Sequence, residues 1–172
     1  MNPVIKLINI HTIFAGCAVD EFNYGIHAYS LLSGIGGVGM ESVQFMGSGV
    51  QRMLHVSWND GKTGILSIGK QSGYLPFYAM VVTDSKVHHI VVDSGKVYKA
   101  LLEAVLPYLG GEVDVPPVSL PDLLEPELTA IAARMSWMKN GERIFLSDLR
   151  IDDMGYDGKA FGEEYRIAKI GK

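Results

Sequence analysis

The sequence predicts a single-domain α+β protein with one open-faced, mostly antiparallel β-sheet and helices packed on one face. Three observations predict this fold class. The chain has 172 residues, enough for one sizeable core. Five short segments rich in β-branched and aromatic residues follow one another with no helical pattern between them. One amphipathic helical pattern precedes these segments and two follow them.

A strand and a helix are predicted first. Residues 3–14 are rich in β-branched and apolar side chains, and Gly16 follows as a break. Residues 20–35 form the helix, with Asp20 or Asn23 as the candidate N-cap. Its apolar residues recur at helical spacing, namely Ile26, Tyr29, Leu32 and Ile35.

The next strands are predicted to form a meander. They cover residues 41–47, 52–58, 64–70, 77–83 and 87–93. Residues 59–62 read Asn-Asp-Gly-Lys, a strong hairpin signal, because Asp-Gly tolerates the positive φ of tight turns. With no helix between the strands, neighbours along the chain are expected to pair antiparallel. Alternation places Leu54 and Trp58 on one face of the sheet and His55 on the other.

Two helices and a last strand complete the predicted domain. Residues 94–109 and 123–139 are the helices, and residues 142–149 are the strand. The first of these helices has an apolar stripe made of Val97, Leu101, Val105 and Leu109. The domain therefore covers residues 1–149, and residues 150–172 form a polar tail. An open sheet face of this size needs covering by a partner subunit or another domain.

Composition narrows the function classes. The net charge is −4 and no long basic run occurs, which argues against nucleic acid or an anionic membrane as the main partner. No apolar run reaches the roughly 18–20 residues that span a bilayer, and no signal-peptide pattern opens the sequence. The single cysteine, Cys17, excludes an intrachain disulfide and a multi-cysteine metal site. We therefore expect a cytoplasmic protein with a buried, non-nucleophilic Cys17.

Residues 34–39 read Gly-Ile-Gly-Gly-Val-Gly and match the dinucleotide-binding fingerprint letter for letter. That fingerprint works where it follows a strand and opens a helix, because the pyrophosphate then meets the helix N-terminus. Here it follows a predicted helix and opens a predicted strand. No acidic residue ends a second parallel strand about 20 residues further on. We therefore interpret the run as a helix-to-strand turn and expect this chain to bind no cofactor alone.

The histidines are the remaining candidate site residues, namely His11, His27, His55, His88 and His89. No two of them have the i, i+4 spacing of a helical zinc site, so no metal site is predicted. His27 lies in the first third of a predicted helix, after Asp20 and Glu21. A helical histidine beside a carboxylate acts as an acid or base near neutral pH. The alternative, a half-buried histidine that holds the helix against the sheet, stays open.

Several segments together resemble one enzyme family. Residues 20–32, Asp-Glu-Phe-Asn-Tyr-Gly-Ile-His-Ala-Tyr-Ser-Leu-Leu, resemble the start of the second domain of the glucose–fructose oxidoreductase/inositol dehydrogenase (Gfo/Idh/MocA) family. In that family a helix carries a Gly-x-His motif near the substrate. Residues 39–44 resemble the strand after that helix, and residues 58–64 resemble its hairpin. Residues 132–149 resemble the last helix, glycine stop and closing strand, so the likeness covers most of residues 4–149.

The resemblance implies a place in a larger enzyme. Such proteins have an N-terminal Rossmann domain for a nicotinamide cofactor and a C-terminal α+β domain. The C-terminal domain supplies substrate contacts and, through its open sheet, subunit association. This chain resembles the C-terminal domain alone, so NAD(P) is expected in the intact enzyme and none in this chain. The implied reaction moves a hydride between the nicotinamide and a sugar- or polyol-like hydroxyl, and the isolated chain is expected to be inactive.

The resemblance also selects two site residues. His27 matches the histidine of the Gly-x-His motif, which in the family often acts as acid or base or contacts substrate. Tyr24 stands where many members have aspartate, which puts an Asp–His pair in doubt and keeps a structural role for His27 open. Tyr24 and His27 are the substrate-binding candidates, and His27 is the catalytic candidate. The alternative function is a stand-alone interaction or small-ligand-binding module that associates through the open sheet face.

Overall fold

The computed structural model describes residues 9–18, 24–69, 72, 75–153 and 155–170, which contain seven strands and four α-helices. The strands are β1 Ile10–Cys17, β2 Met40–Ser48, β3 Arg52–Trp58, β4 Thr63–Ile68, β5 Tyr78–Thr83, β6 Val87–Val91 and β7 Ile144–Phe145. The helices are α1 Ile26–Gly36, α2 Ser94–Leu109, α3 Leu120–Met138 and α4 Gly158–Ile170. One sheet contains the seven strands in the order β6-β5-β1-β4-β3-β2-β7.

The predicted fold class is confirmed. The pairings are antiparallel apart from the parallel β1–β4 pair. Helices α1 and α3 pack against one face, where the buried side chains include Leu54, Val56 and Trp58, as the alternation predicts. The side chain of His55 lies on the opposite face and is partly exposed.

The predicted meander is wrong at one place. Strands β4 and β5 follow each other along the chain, but β1 lies between them, parallel to β4 and antiparallel to β5. In β1, Ile13, Ala15 and Cys17 are buried, so this apolar strand occupies the centre of the sheet and not an edge. The pattern of a strand shows how deeply it is buried but not which strand lies next to it.

The bounds of β1 also differ from the prediction. Residues 3–8 lie outside the described residues, and the strand continues through Gly16 to Cys17. Gly16 does not break the strand. A Cβ there would lie 2.6 Å from the Tyr78 hydroxyl and 2.5 Å from the Ser67 carbonyl oxygen. The glycine therefore allows Tyr78 to lie across the strand.

Helix α1 packs on the sheet through Ala28, Tyr29 and Leu32, which are fully buried. The helix begins at Ile26 in the structure, and the candidate caps Asp20 and Asn23 lie outside the described residues. Helix α3 begins three residues earlier than predicted, because Ser119 caps it through a hydrogen bond from the Asp122 N–H at 3.3 Å.

Helix α2 has its predicted bounds but not its expected packing. The helices were expected to pack on one face of the sheet, yet none of the residues of α2 is buried. Val97, Leu101 and Leu109 are each between 46% and 72% exposed. The helix is amphipathic, but its apolar stripe does not enter the core: Val97 and Leu101 face residues at the start of α1, and Leu109 is exposed.

The last predicted strand is much shorter than expected, and the tail contains a helix. Strand β7 pairs with β2 at only two positions, Phe145 with Ser42 and Ile144 with Val43, and a 3₁₀ turn follows at Leu146–Asp148. The tail from Arg150 was given no helix, but α4 lies within it.

Trp58 connects α1 to the sheet. The indole is 2% exposed, and its Nε1–H donates to the Gly37 carbonyl oxygen at 2.9 Å. Its six-membered ring lies between two glycines: a Cβ on Gly36 would lie 2.7 Å from Cζ2, and a Cβ on Gly64 would lie 2.9 Å from Cζ3. Side-chain carbons do not approach so closely, so both positions must be glycine for the indole to fit.

The Gly34–Gly39 segment is confirmed as a helix-to-strand turn. Gly37 ends α1 with φ 75° and ψ 178°, a conformation that is essentially restricted to glycine. Gly39 has φ 103° and leads into β2. The N–H groups of Gly39 and Met40 donate to one carboxylate oxygen, Oε1 of Glu125 on α3, at 2.8 and 3.1 Å. A carboxylate of the chain itself therefore occupies donors that a phosphate would need.

Replacing Gly36 by alanine is expected to destabilise the domain by about 1–3 kcal/mol, because the new methyl overlaps the Trp58 ring. Gly34 is the matched control in the same helix. A Cβ there meets nothing within 4 Å, so Gly34→Ala should stabilise the domain by up to about 1 kcal/mol through helix propensity. Urea unfolding of both variants measures the difference, and equal free energies of unfolding would contradict the packing role of Gly36.

Candidate functional site

A cavity of about 480 Å³ lies between the start of α1, the residue before β5 and the first turns of α2. Its volume lies in the range of small-molecule sites. The lining residues are Tyr24, His27, Ser30, Leu31, Phe77, Val92, Ser94, Val97, Tyr98 and Leu101. The two site residues expected from the sequence, Tyr24 and His27, therefore lie on the same cavity.

The backbone of α1 positions His27 at this cavity. Gly25, which is buried, precedes the helix, and the His27 N–H donates to the Tyr24 carbonyl oxygen at 3.0 Å. The His27 ring meets Phe77 edge to face, with centroids 5.6 Å apart and planes at 89°. The Tyr24 ring lies 6.1 Å from the His27 ring at 51°. Three rings from two parts of the chain thus surround one side of the cavity.

The described lining contains no acidic side chain that could pair with His27. Asp20 and Glu21, the carboxylates expected near it, lie outside the described residues. His27 is exposed, so its imidazole can reach a molecule in the cavity. Its role as an acid or base stays a prediction, and so does the alternative structural role.

Sequence reasoning missed the wall of the cavity opposite His27. Phe77 was assigned to a strand, and Val97 and Leu101 were assigned to the apolar stripe of a helix. The stripe was the available signal, because an apolar helix face must contact something. Its spacing alone does not distinguish a helix that covers the sheet from a helix that forms the wall of a cavity.

The other histidines lie apart from this cavity. His11 Nε2 lies 2.6 Å from Asp84 Oδ1, within hydrogen-bonding distance, and both side chains are more than half exposed. His88 pairs with Val81 and His89 with Met80, which places the two histidines on opposite faces of β6, as expected. Among the described residues, no three histidine, cysteine or acidic side chains lie close enough together to hold a metal ion.

His55 has the most altered environment of the histidines. Its Nε2 lies 3.0 Å from Thr63 Oγ1 on the open face of the sheet. Partial burial, and then the positive charge of Arg143, lower the pKa of His55 below its usual 6.5. The imidazole is therefore held neutral at neutral pH and acts as a hydrogen-bonding group on this face.

The open face has an apolar centre. One row of directly paired residues crosses six strands and consists of Gln44, His55, Ile65, Phe14, Met80 and His89. Strand spacing of about 4.8 Å gives this row a width of about 24 Å. Phe14 at its middle is 38% exposed. The row is polar at both ends and apolar in the middle, which is the composition of a protein interface.

Comparison with protein-family models and with curated protein sequences found no match. Solved structures do match. The chain is similar to a probable dehydrogenase from Thermotoga maritima, with TM-score 0.66, 15% identity, and coverage of 81% of this chain and 58% of that one. A scyllo-inositol dehydrogenase from Lactobacillus casei, with bound NAD(H) and scyllo-inositol, matches with TM-score 0.63, 13% identity and coverage of 81% and 57%.

A third similar structure is the WlbA dehydrogenase from Bordetella pertussis in complex with NADH and UDP-GlcNAcA. Its TM-score is 0.58 at 13% identity, with 84% of this chain and 56% of that one covered. The chain thus spans between half and three fifths of the length of these dehydrogenases. At such low sequence identity, the similarity shows a shared fold and nothing further. It confirms the fold that the resemblance to Gfo/Idh/MocA oxidoreductases implies for this chain. No helix among the described residues is long and apolar enough to cross a membrane.

Proposed function

We propose that this chain is the substrate-side and association domain of an NAD(P)-dependent oxidoreductase that acts on a sugar- or polyol-like hydroxyl. One observation carries the proposal: the fold matches part of each of several dehydrogenases, two of them with a bound nicotinamide and a hydroxylated ring compound. The match covers about four fifths of this chain and less than three fifths of theirs. The remainder of such an enzyme would hold the cofactor.

His27 is the proposed catalytic residue, and Tyr24 and His27 are the proposed substrate contacts. The imidazole reaches the cavity and would take the proton of the reacting hydroxyl as the carbonyl forms. Tyr24 lies beside it and offers a ring face and a phenolic hydroxyl. The substrate is thereby proposed to lie between α1 and α2, with its reacting carbon nearest the start of α1.

The cofactor is proposed to bind outside this chain. At the end of the dinucleotide-like glycine run, the N–H groups of Gly39 and Met40 donate to Glu125. The run also follows a helix, whereas a dinucleotide-binding run follows a strand and opens a helix. NAD(P) is therefore proposed to be held by a Rossmann domain, and the chain alone is proposed to be inactive. The exposed apolar face of α2 supports this, because a surface of that kind is covered in a working protein.

Association through the open sheet is the second part of the proposal. The apolar middle of the open face, at Ile65, Phe14 and Met80, would pack against the same row in a second copy. Such pairing is isologous and closes a dimer. The alternative function, a stand-alone interaction or ligand-binding module, is favoured by one observation: this chain alone supplies both the cavity and the open face.

Calorimetric titration of the chain with NADH and NADPH is expected to give no binding tighter than millimolar, because the Gly39 and Met40 N–H groups at the end of the glycine run already donate to Glu125. A complete NAD-binding inositol dehydrogenase serves as the positive control under the same conditions. Tight, saturable binding of either nucleotide to this chain would contradict the proposal that a separate Rossmann domain holds the cofactor.

Sedimentation velocity at several concentrations is expected to show a reversible dimer, which Phe14→Glu converts to monomer by placing a charge at the middle of the interface. Val50→Glu is the control, because Val50 is 81% exposed in the turn between β2 and β3. Thermal unfolding of each variant verifies the fold. A wild-type chain that stays monomeric, or variants that dimerise alike, would rule out pairing through this face.

A further inference from the structure

The described lining of the cavity is mainly apolar and aromatic. Leu31, Val92, Val97 and Leu101 are aliphatic, and Tyr24, Phe77 and Tyr98 are aromatic. The described lining contains no aspartate, glutamate, asparagine, glutamine, lysine or arginine. A polyol with several hydroxyls needs several polar partners, because each buried hydroxyl without a hydrogen bond is costly. The described lining offers such partners only at His27 and at the hydroxyl-bearing residues Tyr24, Ser30, Ser94 and Tyr98.

Both helices contribute polar groups to the lining: His27 and Ser30 on α1, and the hydroxyl-bearing residues Ser94 and Tyr98 on α2. His27 and Ser30 project from the same helix, and the Ser30 hydroxyl already donates to the Ile26 carbonyl oxygen at 3.2 Å. Opposite them, the first turns of α2 present Val97 and Leu101, about half exposed. A molecule in the cavity therefore meets His27 at α1 and, at α2, the apolar side chains of Val97 and Leu101 beside two hydroxyl-bearing residues.

The rings on the α1 side are arranged to receive a flat group. Phe77 stands perpendicular to His27, and Tyr24 is tilted by 51°. Edge-to-face and tilted arrangements with centroids near 5–6 Å are those that aromatic rings prefer among themselves. A further ring entering between these residues and α2 would extend the same arrangement and would cover side chains of α2 that are now exposed.

We propose that this cavity binds an aryl or similarly flat apolar substituent of the substrate, next to the hydroxyl-bearing ring at His27. The expected substrate class is thus an aryl-substituted sugar or polyol. The aryl site rests on the proposed function in one respect, namely that the reacting hydroxyl lies at His27. The cavity volume of about 480 Å³ accommodates two small rings, in keeping with a substrate that has both parts.

The test compares two glucosides that differ in this substituent. Phenyl β-D-glucopyranoside and methyl β-D-glucopyranoside are titrated into the chain without cofactor, and NMR follows the His27 ring protons and the ligand resonances. The phenyl glucoside is expected to bind at least about tenfold more tightly, because its ring is buried against apolar walls. Equal affinities, or no binding by either compound, would overturn the proposal.

Three variants of α2 locate the site. Leu101→Asp places a charge in the cavity wall and is expected to weaken phenyl glucoside binding at least about tenfold. Leu102→Asp is the matched control, because Leu102 is 50% exposed beside Leu101, which is 52% exposed, but does not line the cavity. Val97→Thr, which keeps the side-chain shape, is a milder second test and is expected to weaken binding by a smaller factor. Equal effects of Leu101→Asp and Leu102→Asp would place the ligand elsewhere.

Failure of the glucoside titration can be distinguished from failure of the proposed function. The glucoside titration needs no cofactor and no second domain, so its failure leaves the cofactor and association tests unaffected. Tight binding of NADH by this chain would contradict the proposed function. The preference for the phenyl over the methyl glucoside would still be tested independently by the glucoside titration.

Discussion

The contact between Trp58 and the end of α1 is the interaction on which the rest of the structure depends. The indole lies between Gly36 and Gly64 and is fixed by its hydrogen bond to Gly37. Helix α1 is therefore held at a set position on the sheet, with Leu32 beneath it in the core. Its opposite end presents His27, so the orientation of the candidate catalytic residue is set by packing at the far end of the same helix.

The same turn explains why a cofactor fingerprint occurs between a helix and a strand, in the reverse of its usual order. Gly36 is required by the indole, Gly37 by the backbone conformation that ends the helix, and Gly39 by its positive φ. Glu125 then binds two N–H groups of the turn and ties α3 to α1 and β2. Several independent packing and backbone requirements reproduce a motif whose usual explanation is phosphate binding.

Features that depend on local order could be predicted from the sequence. The helix-to-strand placement of the glycine run, the bounds of α2 and the two faces of β3 follow from spacing and alternation alone. Features that depend on distant partners could not. The position of β1 beside β4 and β5, the Glu125 contact across 85 residues, and the cavity wall formed by α2 each require knowledge of which surfaces meet. Tyr24 and His27 were selected by resemblance, and the structure places them together without testing their chemistry.

Amide hydrogen exchange of the Trp58→Phe variant tests most directly whether this contact positions the site. The substitution removes the indole N–H and leaves space beside Gly36 and Gly64. The account predicts that α1 amides, including those near His27, lose protection while the paired amides of β2 and β3 keep most of theirs. Unchanged protection of α1, or a uniform loss throughout the sheet, would contradict the claim that Trp58 holds the histidine helix in place.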